Sequence, residues 1–170
     1  MAAALVALVN GTQELPNHVS EQVYVHESPL LRDEANYIFR AVLPDGSAEQ
    51  LWGKKVGEST VEVCCIPFFI YNVALRDIVQ LNEERRLAFV LESSGRFVGR
   101  VWFGDSRHAV EGTVKRLEQL GANLEWSSAN LLAVDSSAAL QDAVVEFLSA
   151  GHNAGAFLYE NGYQADISNP

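Results

Sequence analysis

The chain has 170 residues, enough for one compact unit or two very small ones. Hydrophobic residues make up 48% of it, so a real core can be buried. A formal net charge of −10 sets the surface against nucleic-acid phosphates and anionic lipid headgroups, and leaves solubility or the steering of a basic partner as its uses.

Met1 to Val9 is rich in Ala, Val and Leu. It is far shorter than the ~20 apolar residues of a spanning helix, and it lacks the basic start of a signal peptide. It reads as a loosely ordered leader, with a first strand or an over-extended start site as alternatives. With the polar stretch Thr12 to Ser20 it forms a leader and linker over residues 1–21, expected to be poorly ordered. Gln22 to Glu27 alternates and predicts a short strand, broken at Ser28-Pro29. Leu30 to Asn36 is one helical turn or a loop.

Tyr37 to Leu43 is a clearer strand, with Tyr37, Phe39, Ala41 and Leu43 on one face and Ile38, Arg40 and Val42 on the other. Pro44-Asp45-Gly46-Ser47 is a turn, because proline pre-sets φ and glycine accepts the left-handed geometry. Gln50 to Lys55 then returns antiparallel. After the turn Gly57-Glu58-Ser59, Thr60 to Ile66 alternates, with Val61, Val63 and Cys65 inward. Cys64 and Cys65 are adjacent, and neighbouring strand residues point to opposite faces, so both are expected to be free, small, buried side chains. That suits a reducing cytoplasm.

Pro67 cannot donate to a ladder, so this strand should bend or end there. Phe68, Phe69 and Tyr71 are expected to cap one end of a barrel. Ile78 to Leu81 and Leu87 to Leu91 predict a hairpin about the charged turn Asn82 to Arg85. Short strands at this spacing, with little helix between them, predict a small curled sheet or barrel.

The remainder changes character near Ser93-Ser94-Gly95. Arg96 to Phe103 predicts a strand. Ser106 to Leu120 predicts a helix with Val110, Val114, Leu117 and Leu120 on one stripe, capped by Asp105 or Ser106 and ended by Gly121. Asn123 to Trp126 and Leu131 to Val134 predict strands. Ser137 to Ala150 predicts a second helix, burying Leu140, Ala143, Val144, Phe147 and Leu148 and stopped by Gly151. Ala156 to Glu160 is a last strand. The order β-α-β-β-α-β is the split βαβ pattern. The expected fold is therefore α+β. An SH3-like, barrel-like sheet over residues 22–94 precedes a ferredoxin-like βαββαβ domain over 95–162, with a tail over 163–170. Both helices should lie on one sheet face; the other face is open or lies on the barrel.

On these residues the chain resembles a bacterial family known as domain of unknown function 4265. The likeness rests on Leu51-Trp52, on Ile66-Pro67-Phe68-Phe69 followed by Val73, Asp77 and Val79, on Ser94-Gly95 with Arg100, and on Tyr159-Glu160. It runs from about Asn36 to Glu160. Arg76 stands where a glycine before the aspartate is usual, and Arg96 where a histidine after Ser-Gly is usual. The resemblance supports the architecture and implies no activity.

Catalytic patterns are sparse. His18, His26, His108 and His152 do not fall at metal-ligand spacing, no Cys-x-x-Cys is present, and no glycine-rich loop opens a helix. A cysteine nucleophile at Cys64 or Cys65 is disfavoured by an apolar strand, which raises a thiol's pKa. Lys54-Lys55 and Arg85-Arg86 are too few for a nucleic-acid track. Trp52, Trp102 and Trp126 are spread over different strands, where core packing is the commoner use of tryptophan. The expected function is that of a non-enzymatic, acidic, cytoplasmic protein that binds another protein with a basic surface. Its most concrete form is an immunity protein that neutralises a bacterial toxin, with no cofactor, nucleic acid or membrane involved. The alternative is a small-molecule-binding protein or enzyme with a pocket between the two halves. In that reading Trp52, Phe68, Phe69 and Tyr71 supply the wall, and Arg76, Asp77 and Arg100 the polar groups.

Overall fold

A computed structural model describes residues 22–104 and 108–163. Among them are ten strands in two sheets and two helices, a mixed α+β architecture. The expectations for residues 1–21, for the caps Asp105 and Ser106, and for 164–170 lie outside the described residues.

The front sheet is built from β1 (Val23–Val25), β2 (Tyr37–Val42), β3 (Ala48–Lys55), β4 (Thr60–Val63), β5 (Ile78–Leu81) and β6 (Leu87–Glu92). The long strand β3 organises it. Its first residues pair parallel with β1, its last pair antiparallel with β4, and β2 runs antiparallel along it from Tyr37↔Gly53 to Val42↔Ala48. The predicted alternation in β2 holds: Phe39, Ala41 and Leu43 are buried while Ile38 and Val42 are exposed. The sheet is not a closed barrel. β6 meets β2 at the Arg40↔Arg86 bridge outside the ladders, and two register shifts against β5 twist it.

The back sheet has the order β10-β7-β9-β8, antiparallel throughout. Its strands are β7 (Phe97–Trp102), β8 (Asn123–Trp126), β9 (Leu131–Ser136) and β10 (Leu158–Asn161), with α1 (Val110–Gln119) and α2 (Gln141–Asn153) as its crossovers. The helices cover one face, packing Leu117, Val144 and Leu148 on Phe97, Val101, Leu132 and Val134. The other face is not open: Val98, Leu131 and Ala133 pack against Leu43, Ile66, Phe68, Phe69 and Ala74 of the front half. A third cluster, including Phe39, Leu51, Val61, Val63 and Val79, fills the front sheet itself.

Several boundaries differ from the sequence expectation. β4 ends at Val63 rather than Ile66, because the chain leaves the front sheet to cross towards the back one. α1 begins at Val110 on Ala109, without a side-chain cap, and ends as expected at Gly121, whose φ is +80°. α2 begins at Gln141, so Leu140 precedes it and is exposed, as is Ala143. Nor does Gly151 stop the helix, which runs to Asn153 with the left-handed residue at Gly155. Gly151 serves close approach instead: a Cβ there would sit 2.2 Å from the Phe157 ring.

Candidate functional site

The crossing segment, Cys64 to Phe69, is buried at every residue. Past Cys64, whose N–H still donates to the Trp52 carbonyl at 2.8 Å, it has left the sheet ladder, so its amide donors need other acceptors, since an unpaired buried N–H is costly. Two glutamates supply them. Glu49 on β3 accepts from three consecutive amides, Phe68 at 2.6 Å, Phe69 at 3.0 Å and Ile70 at 2.8 Å. Glu125 on β8 accepts from Ile66 at 2.9 Å and from Leu30 at 3.3 Å. Pro67, which has no N–H, sits between the two sets. Three successive N–H groups turned onto one carboxylate form an anion-binding nest made within the chain.

His26, one residue past β1, joins the two carboxylates. Its Nε2 donates to Glu49 at 2.9 Å and its Nδ1 donates to Glu125. Its ring lies flat on Phe68, 3.9 Å between centroids and 8° from parallel. Only the imidazolium can donate from both nitrogens. Burial works against that charge. The hydrogen-bonded carboxylates of Glu125 and Glu49 outweigh it, and hold His26 well above its ordinary 6.5. Burial likewise works to raise Glu49, but His26 and the amides of Ile70 and Phe68 hold it below its ordinary 4.5. Burial pushes up both thiols, Cys64 to about 11, so neither is a thiolate nucleophile near neutral pH.

Beside this lattice lies Arg100 of β7, 1% exposed. Its guanidinium is 4.4 Å from the centroid of Tyr71, and its Nη2 donates to the Ile70 carbonyl. The Tyr71 hydroxyl donates to Glu160 of β10. Burial pulls the Arg100 pKa down, against the opposing influence of Glu49, Tyr71 and Glu160. Arg100 Nε and Nη1 and Glu160 Oε2 are buried without a hydrogen-bond partner.

Of the residues singled out from sequence, Phe68, Phe69, Tyr71 and Arg100 meet along this seam. Phe68 and Phe69 are 1% and 4% exposed, so they are packing between the sheets rather than the wall of an open pocket. Trp52 joins from the edge: its indole N–H donates to the His26 carbonyl at 3.1 Å, and Arg32 lies 5.3 Å from its ring. Asp77 and Arg76 belong to the turn that follows. Asp77 is buried and accepts from Ala74 at 2.8 Å and Ser94 at 2.7 Å, tying that turn to the junction of the halves. Arg76 adopts a φ of +70° and pairs with Glu34 at 2.6 Å and with Glu62. Arg96, at the other unusual position, forms a two-pronged pair with buried Asp135 at 2.7 and 2.5 Å.

His26, Glu49 and Glu125 were not singled out from sequence as site residues, and Glu160 entered only through the family resemblance. The sequence offered no signal for them: on β8 Glu125 alternates with Leu124 and Trp126, a pattern that by itself sets the carboxylate on the face away from the apolar one.

The family model described as "Domain of unknown function (DUF4265)" matches residues 49–159. No curated protein matches the chain. Among solved structures, the chain is similar to one titled "Novel crystal structure of a hypothetical protein from Neisseria gonorrhoeae", with a TM-score of 0.62 and 18% identity. That likeness covers 87% of this chain and 97% of the other, and at this identity it speaks to the fold alone.

Proposed function

The chain belongs to the DUF4265 family, and we propose that it is a non-enzymatic binding protein whose target is another protein with a basic surface. The observation that supports this most is the state of the seam. Its nucleophiles are protonated, and its histidine and both glutamates are bound to one another and to backbone amides. Recognition is then left to the outer surface, and that surface belongs to a chain with net charge −10. The most concrete form is an immunity protein that covers the basic cleft of a bacterial toxin. The cytoplasm is the proposed location, in keeping with the free thiols Cys64 and Cys65. On the same reading the back half is ferredoxin-like, supported by its strand order and split βαβ connections, and the front half is an open relative of SH3-like barrels.

The test is co-expression with a toxin domain encoded beside the gene. Protected growth, and a complex on a sizing column that weakens with salt, are expected. No protection and no complex would end this reading.

One observation favours the alternative of a small ligand between the halves: the two unpaired nitrogens, Nε and Nη1, of buried Arg100 and the unpaired Glu160 oxygen. A small carboxylate that also carries a hydroxyl or amino group, accepting from Arg100 and donating to Glu160, would raise the melting temperature, because it binds only the folded state. A thermal-shift series with such acids that leaves the transition unmoved removes the alternative.

A further inference from the structure

Two shallow grooves on the surface are each walled by a tryptophan, and they differ in what already occupies the ring. The first, about 440 Å³, is lined by Trp52, Tyr37, Ile38 and Arg85 among others. Its aromatic faces are taken by the chain's own cations, Arg32 at 5.3 Å from Trp52 and Lys55 at 5.4 Å from Tyr37. The second, about 420 Å³, is lined by Glu27, Val110, Trp126, Ser127, Ser128 and Ala129. No cation lines it. Trp126 is 39% exposed, with the Phe103 ring tilted against it at 5.9 Å. Among the described residues, neither the Trp126 indole N–H nor the Glu27 carboxylate makes a hydrogen bond or ion pair.

We propose that the groove between Glu27 and Trp126 receives an arginine side chain of the basic partner protein. This rests on the binding function proposed above and assigns it a place. The chemistry is the one the chain uses on itself at Trp52: a planar guanidinium over an indole. Here no cation among the described residues covers the indole, and a carboxylate lines the same groove. An incoming arginine gains a cation–π contact and a charge-assisted hydrogen bond together. The Ser127 to Ala129 turn, at the end of edge strand β8, leaves the groove open on its outer side. Tryptophan with a facing charge is the composition of an interface hot spot.

The test uses the 15N-labelled protein and a tetra-arginine peptide as probe, reading the indole N–H resonances of Trp52, Trp102 and Trp126. The Trp126 resonance is assigned by its loss in Trp126→Phe. A saturable shift of Trp126 is expected, with affinity weakened roughly fivefold by Glu27→Gln, the size of one exposed cation contact. Glu58→Gln, in a remote exposed turn, should change it by less than about twofold. If the peptide moves other resonances and leaves Trp126 alone, the groove assignment falls while the basic-partner reading stands. If no resonance moves, both fall. A tetra-glutamate peptide that gives the same shift, or equal weakening by Glu27→Gln and Glu58→Gln, overturns the assignment as well.

Discussion

At His26 the protonation state is a product of folding, and stability should depend on pH accordingly. The unfolded ring titrates near 6.5 and the folded one well above it, so this contribution is complete below about pH 6.5 and is lost as the pH rises through the folded value. Glu49 works in the opposite sense. Its folded pKa lies below 4.5, so its contribution is present above that value and is lost as the pH falls through the folded one. From these two groups the melting temperature should be highest between about pH 4.5 and 6.5. His26→Gln should flatten the alkaline limb; a limb unchanged in that variant would show that the ring is neutral in the fold. Arg76 offers a second residue-scale test. At φ +70° any side chain with a Cβ is strained by about 1 kcal/mol, and glycine is not. Arg76→Gly and Arg76→Ala both lose the pairs to Glu34 and Glu62, so the glycine variant should be the more stable by about that amount in urea unfolding.

Among the elements, α2 shows local propensity overruled by packing. Alanine is the better helix former by about 1 kcal/mol. Yet a methyl at position 151 would lie 2.2 Å from the Phe157 ring, which is 6% exposed in the helix–sheet core. Gly151→Ala should therefore destabilise, by about 1–3 kcal/mol for an overpacked site, and Phe157→Leu in the same chain should recover part of the loss because the two positions share one space. Additive losses in the double variant would contradict the contact. Strand β6 shows another compromise. Phe89 and Leu91 are 55% and 50% exposed, and the register shifts against β5 twist the edge that carries them. A twisted edge is a poor template for another strand.

For the molecule as a whole, the seam makes the two sheets one folding unit. Phe68 is packed among residues of both halves, and Glu49 and Glu125 reach from the two sheets to adjoining amides of one segment. Phe68→Ala should cost about 3–5 kcal/mol, and its loss should appear in one transition that melts both sheets together. Two separated transitions, with the back half unaffected, would show that the halves are independent.

Much of this architecture was legible in residue order. Alternation marked β2, glycine with proline marked the turn before β3, and single apolar stripes placed both helices on one sheet face. Those signals are local, because they depend on the period of the backbone and on φ. The seam was only partly legible: the run Ile66 to Phe69 announced burial, but nothing near it named its acceptors. Glu49 is about 20 residues away in sequence, Glu125 about 59 and His26 about 40. A buried amide can be satisfied by any carboxylate that the fold brings within 3 Å. Which one arrives is decided by how the two sheets meet, and no periodicity in a strand carries that information.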